Sequence, residues 1–232
     1  MKRTVSLILL LVMSFSIVWA EGPSRNGGLL DVFGLNKNGD SKNRSYKIGE
    51  TGPGGGKIFY VSKKGFNVYE ADGTSKKYHY LEASDVISKG ISWCSLDKNK
   101  FVDFKGFCCG NISPKTEIGY GKANTAAIIK TNHFHGNIDS TNCAAVLCSE
   151  YSTPTTSASE WWLPSKDELN LIYVNLAAKG IIAQEGYYWS SSTYSGGEEW
   201  GHMHAWGHGF GSGSQDHGDK VDPLSVIAVR AF

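Results

Sequence analysis

The densest group of chemically active side chains lies near the C-terminus, where His202, His204, His208 and His217 accompany Asp216 and Asp219. Imidazoles and carboxylates make a transition-metal ligand set, and His202 with His204 would share one side of a strand. A metal centre is one reading of this stretch; a set of polar side chains displayed to solvent is the other. Ser190, Ser191 and Ser192 offer hydroxyls, but they follow Trp189 without the Gly-x-Ser-x-Gly frame that exposes a nucleophile. They read as strand-end serines bonded to backbone groups. The five cysteines, Cys94, Cys108, Cys109, Cys143 and Cys148, contain no C-x-x-C pair, and their spacings do not suit zinc. Structural thiols or disulfides are expected instead, with one of Cys108 or Cys109 meeting Cys94 and with Cys143 and Cys148 as a second candidate bridge. Gly54 to Gly56 precede a strand and lack the Gly-Lys-Ser/Thr ending of a phosphate cradle, so they read as a turn.

These groups need a framework, and the pattern of apolar residues outlines one. Lys57-Ile-Phe-Tyr-Val-Ser62 reads as a strand. Asn67 to Glu70 and Tyr78 to Glu82 flank Asp72-Gly73, a strong hairpin signal. A cysteine-bearing loop region follows from Ile91 to Thr116. Gly121 to Lys130 reads as a first helix. A second is announced by Ser165 with Glu168 as a capping box, by Leu169, Ile172, Tyr173 and Leu176 at helical spacing, and by Gly180 at the end. Its Lys166, Asp167 and Glu168 read as cap and solvent groups rather than catalysts. Short strands return at Tyr187 to Ser191, His204 to Phe210 and Val226 to Phe232. No internal repeat is visible. Two helices flanked by strands from both ends of the chain predict one α+β unit with its termini paired in a sheet.

The chain has 232 residues, 41% of them hydrophobic and 19% charged, which is the balance of a folded domain rather than a disordered segment. Lys2 and Arg3 precede an uncharged run from Val5 to Val18, and Val18-Trp19-Ala20 offers a cleavage site. Residues 1–20 therefore read as a signal peptide; the run is broken by Ser14 and Ser16 and falls short of the about 20 apolar residues a membrane span needs. The mature chain is expected to be exported to the cell surface, the periplasm or the medium, with no membrane insertion. Residues 21–46, rich in Gly, Asn, Ser and Lys, read as a tether or peripheral segment. The formal charge of +1 falls to −1 when Lys2 and Arg3 leave, so nucleic acid is not an expected partner.

Five segments in combination carry a resemblance: Ile48-Gly-Glu-Thr-Gly-Pro-Gly-Gly-Gly56, Gly119-Tyr-Gly-Lys-Ala-Asn-Thr125, Glu160-Trp-Trp-Leu-Pro-Ser-Lys-Asp-Glu-Leu-Asn170, Tyr188-Trp-Ser-Ser-Ser192 and Val229-Arg-Ala-Phe232. Across residues 47–232 the chain resembles a family of exported spirochaete proteins with a C-type lectin-like domain, in the arrangement shared with formylglycine-generating enzymes. Within it, residues from about 188 to 232 resemble the variable region of a diversity-generating retroelement target. In such targets error-prone copying at adenines converts AAC asparagine codons to Gly, Ser, Asp, His, Tyr and others, while codons without adenine stay fixed. The family pattern Ala-Trp-x-x-x-Phe-x-x-Gly-x-Gln, with a later Lys, stands here as Ala205, Trp206, Phe210, Gly213, Gln215 and Lys220.

The resemblance implies a division of labour. Trp189, Trp206, Phe210, Gly213, Gln215 and Lys220 would be fixed scaffold. Gly201, His202, His204, Gly207, His208, Gly209, Gly211, Ser212, Ser214, Asp216, His217, Gly218 and Asp219 would be ligand-binding positions. All of these are reachable from AAC by changes at adenine, whereas Met203, Glu198 and Glu199 fall outside that set. Trp206 and Phe210 are expected to point inward, each contributing about 1.5–3 kcal/mol by burial. The implied function is ligand binding, to a protein or a cell-surface molecule, without cofactor, metal or catalysis. A cysteine pair of the formylglycine-generating type is not possible beyond Cys148, the last cysteine, and the Glu-Pro-Asn or Gln-Pro-Asp pattern of calcium-dependent sugar binding is missing. The alternatives are a structural envelope protein with an inert tail and a metal-binding protein built on the histidine cluster.

Overall fold

The computed structural model describes residues 44–94, 112–113, 115–132, 141–196 and 203–232. The signal peptide, most of the tether, Cys108, Cys109, Gly201 and His202 lie outside the described residues. Residues 45–232 form one unit with mixed α and β elements in the order β1 (Lys57–Tyr69), β2 (Ser75–Ile91), α1 (Gly121–Asn132), α2 (Ala144–Glu150), α3 (Lys166–Asn175), β3 (Tyr187–Thr193), β4 (His204–Gly209), β5 (Gln215–Asp219) and β6 (Leu224–Ala231). A short 3₁₀ turn, Ala177–Lys179, follows α3.

The six strands form a sheet in the order β1-β2-β6-β3-β4-β5. Its first half is a long bulged hairpin, in which the two strands expected on either side of Lys63 are one continuous β1. The Asp72-Gly73 turn closes it, with Asp72 Oδ1 accepting from Thr74 N at 2.9 Å. The C-terminal strand β6 then pairs antiparallel with β2, and Phe232 N donates to Tyr80 O at 3.2 Å. Tyr46, just ahead of the expected domain start, is buried against Tyr80 and Phe232.

β6 explains why the core is double. Its run Val226-Ile-Ala-Val229 is apolar throughout because both of its faces are covered. Val226 and Ala228 turn into a core with Ile128 of α1, Val146 and Cys148 of α2, Trp161 and Trp189. Ile227 and Val229 turn into a second core with Leu169 and Ile172 of α3, Phe59, Tyr188 and Phe210. α2, one element more than the two helices expected, is a seven-residue Ala- and Cys-bearing helix too short to show a period.

Two readings of the sequence are corrected here and a third is extended. Cys143 and Cys148 are not bridged to each other: the Cys143 thiol donates to Trp93 O at 3.6 Å and the Cys148 thiol to Ile227 O at 4.0 Å, deep in the first core. Glu168 is a cap but no solvent group. Its carboxylate is fully buried and accepts from Ser165 N (2.9 Å), Gly119 N (2.8 Å) and Trp162 Nε1 (3.3 Å), and burial pushes its pKa up despite those donors. The Gly54 to Gly56 turn does more than feed β1: Gly54 N and Gly56 N donate to the buried Glu82 carboxylate at 3.0 and 3.1 Å, and Arg230 closes it at 2.7 Å. The charge of Glu82 is thus held by a loop and by the last strand together.

Candidate functional site

β4 and β5 carry most of the residues singled out from the sequence. Strand side chains alternate, so His204, Trp206 and His208 share one face of β4, on the α3 side. The antiparallel register places Asp219, His217 and Gln215 opposite them in that order. β5 is a strand that Gln-Asp-His-Gly-Asp would not form by its own propensity; the ladder with β4 imposes it.

α3 crosses only part of this face. At its covered end His208 is buried, with Nε2 3.2 Å from Asn170 Oδ1, Nδ1 3.3 Å from Gly209 O and the Tyr173 ring at 4.7 Å. Desolvation holds its pKa below the ordinary histidine range. Trp206 lies where α3 begins and is only partly buried, with Lys166 Nζ 3.6 Å above its ring. Beyond it, among the described residues, His217 and Asp219 are exposed and the His204 side chain is 13% exposed. There Tyr194 stacks on His217 at 3.9 Å and meets Trp206 edge-on at 5.2 Å, and His204 Nε2 reaches Asp219 Oδ1 at 2.8 Å.

This geometry reverses two expected roles. His208, expected among the display positions, is packed under α3; Trp206, expected to be buried scaffold, belongs to the outward half. The cause is the position of the helix start: α3 begins at Lys166, whose side chain alone of the helix lies over Trp206, while Asn170 and Tyr173 cover His208. The inward aromatic of this segment is Phe210, just past β4, which is buried against Tyr188 at 4.2 Å and Tyr173 at 5.8 Å. Trp189 and Lys220 are buried too, Trp189 Nε1 donating to Ile91 O at 3.0 Å and Lys220 Nζ lying 4.7 Å over the Trp93 ring. Gln215 is half-buried, with Nε2 3.4 Å from Lys166 O.

The glycines divide as well. Gly207 and Gly209 are buried on the opposite face of β4, where the Tyr187 ring lies across them; a Cβ at Gly207 would stand 2.6 Å from that ring and 3.0 Å from Tyr188 O. They are floor rather than display, a further correction. Asp216 and Gly218 share that opposite face, Asp216 exposed and adding to the burial that raises the Tyr187 pKa, Gly218 set against Trp189. Gly211, Ser212 and Ser214 are exposed in the β4–β5 turn, where the Ser212 and Ser214 hydroxyls pair at 2.7 Å. The eleven of the thirteen expected positions that are described therefore do not form one surface.

Gly213 closes that turn with φ +73°, a left-handed conformation, and a Cβ there would meet the Tyr173 hydroxyl at 2.5 Å. Gly213→Ala is expected to cost about 1–2 kcal/mol from the backbone conformation alone, with the contact adding to it, as a lowered urea midpoint at unchanged slope.

Two groups on the open half were missed. Tyr194 lies within the stretch from about 188 to 232 that was expected to vary, and Tyr is reachable from AAC, a signal that was present but unused. Lys166 gave no signal, because its place over Trp206 depends on how α3 docks. Among the described residues no group of three or more side chains is placed to hold a metal ion; of the residues weighed for one, His208 is under the helix, Asp216 is on the reverse side, and His202 lies outside the described residues. The serines are buried and engaged, Ser190 Oγ donating to Trp206 O at 2.8 Å and Ser192 Oγ to Lys115 O at 2.7 Å.

No family model matches this chain, and no curated protein matches it either. Among the described residues no helix is long and apolar enough to cross a membrane.

Proposed function

We propose that this is an exported ligand-binding protein with a C-type lectin-like domain, whose C-terminal face presents retroelement-diversified side chains on a fixed scaffold to a protein or cell-surface ligand. The observation that carries the reading is the composition of the open half of the β4–β5 face. Tyr194, His204, His217 and Asp219, all reachable from AAC, stand side by side there, around Trp206 and Lys166, which are not. Aromatic rings with polar tips are the side chains that anchor small recognition surfaces, since they give large contact area at little conformational cost. The exposed Ser212 and Ser214 extend the variable set to one end of the hairpin. His208, Gly207 and Gly209 are left out of it, because each supports the framework.

Two measurements test this. Sequencing the locus in several isolates should find replacements at Tyr194, His204, Ser212, Ser214, His217 and Asp219, with Trp189, Phe210, Gly213 and Lys220 unchanged; scatter over the whole chain would favour the inert envelope protein. In a screen against host and bacterial surface extracts, the double variant Tyr194→Ala/His217→Ala is expected to lose capture at least about tenfold, as anchor residues do, while its melting temperature stays within about 2 °C. Undiminished capture would place the binding surface elsewhere.

A further inference from the structure

β1 forms the edge of the sheet opposite β5, and there the β1–β2 hairpin outruns its neighbour. β6 pairs with β2 from Leu81 onward and stops at Phe232, whose carbonyl accepts from His79 N and Tyr80 N at 3.3 and 3.2 Å. Phe66 to Tyr69 and Ser75 to Tyr78 therefore run on as a two-stranded arm. Two strands alone are marginal in water. This arm is held on one face by Val68, buried in the second core, and at its edge by Gly119 O, which accepts from Tyr69 N at 2.9 Å. Lys63, Lys64, Lys76 and Lys77 are exposed on the hairpin, and none joins an ion pair among the described residues. The two carboxylates between them are engaged elsewhere, Glu70 with Lys122 at 2.6 Å and Asp72 with the Thr74 N–H and hydroxyl at 2.9 and 2.6 Å. In a chain of formal charge +1 this is a local concentration of cations.

Because Val68 turns into the core, alternation and register place Asn67, Tyr69 and Lys77 on the other face of the arm. The Tyr69 ring stacks on Tyr120 at 4.2 Å with the planes 12° apart, and the two hydroxyls are hydrogen-bonded. Both tyrosines are only half-buried. Each has a cation beside it: Lys115 Nζ is 5.5 Å from the Tyr120 ring centre, and Lys77 stands diagonal to Tyr69 across the strand pair, roughly 7 Å away. Half-exposed flat rings between ammonium groups suit a ligand that carries both apolar C–H faces and repeated negative charge. We propose that this arm is a second binding surface, for a linear acidic glycan whose sugar rings lie on the Tyr69 and Tyr120 pair and whose carboxylate or sulfate groups meet the lysines. An anionic membrane fits less well, because Phe66 and Tyr78 pack towards the second core and the Asp72-Gly-Thr-Ser75 turn has no apolar side chain to enter lipid. A chain read as exported meets acidic glycans on cell surfaces. The surface lies at the opposite edge of the sheet from β4 and β5 and does not depend on how that face is read.

The test is calorimetric titration of the full exported chain with a heparin-type sulfated hexasaccharide at about 0.15 M salt. The expected result is binding that weakens as salt is raised, with a loss of at least about tenfold in Lys76→Gln/Lys77→Gln. Tyr120→Leu, which keeps apolar bulk but no flat ring, should lose at least about threefold. Both variants replace exposed or half-exposed side chains, and their melting temperatures should stay within about 2 °C of the unaltered protein. No binding of the hexasaccharide, or an unchanged affinity in either variant, would overturn the proposal. So would equal affinity for an oligothymidylate of the same charge or for phosphatidylserine vesicles, which would show a surface that reads charge alone. Tyr194→Ala/His217→Ala is expected to bind the hexasaccharide as the unaltered protein does, so failure of this surface and failure of the β4–β5 face are separate outcomes.

Discussion

Phe210→Ala is expected to lower the unfolding free energy by about 3–5 kcal/mol, whereas Trp206→Ala, four residues away, should cost about 1–2 kcal/mol. Phe210 is 2% exposed and touches the rings of Tyr188, Tyr173 and His208, so its removal leaves a cavity that a sheet and a docked helix cannot collapse to fill. Trp206 is only partly buried, and its truncation removes one cation–π contact and an edge-on contact with Tyr194. Urea unfolding of the two variants at neutral pH measures the difference. Equal losses would mean that Trp206 is as buried as Phe210 and that the open face does not exist as described. The same comparison should find Asp216→Ala within about 0.5 kcal/mol of the unaltered protein, as for other exposed sites, and His208→Ala clearly below it.

Glu82→Ala is expected to cost a similar amount, about 3–5 kcal/mol, through a different mechanism. The carboxylate is fully buried and takes hydrogen bonds from Gly54 N, Gly56 N and Arg230, so its removal leaves two loop amides without an acceptor and Arg230 with Glu160 alone, at 2.9 Å. Each amide stripped of its acceptor in a buried site costs about 1–3 kcal/mol. Glu82→Gln keeps one acceptor oxygen but turns an amide N–H₂ towards donors, and should fall between Ala and the unaltered protein. Because the residue ties the first loop to the last strand, hydrogen exchange at Gly54 and Gly56 should rise in both variants. A stability loss in Glu82→Ala below about 1 kcal/mol, the size of an exposed ion pair, would show that the carboxylate is solvated and the cradle open.

Much of the framework was legible in local pattern. The Asp72-Gly73 hairpin, the Ser165 and Glu168 capping box and the apolar strand at the C-terminus each depend on neighbours within a few residues. The burial of Phe210 was expected from its place as an inward aromatic, whereas the positive φ of Gly213 was not read from the sequence. The errors share a physical origin. α2 and β5 exist because tertiary partners cover or pair them, not because seven Ala-rich residues or Gln-Asp-His-Gly-Asp prefer a helix or a strand.

The chemistry of the candidate surface was set by the sequence alone: which residues are aromatic, which carry imidazole or carboxylate, and which lie two apart on a strand and so share a side. Alternation along β4 groups His204 with Trp206 and His208 on one side, which the expected split between displayed histidines and an inward tryptophan overlooked. What alternation leaves open is which part of that side meets water, because the period of a strand does not encode where a helix from elsewhere in the chain begins. Docking of α3 decided it, burying the histidine, freeing the tryptophan and bringing Lys166 over its ring.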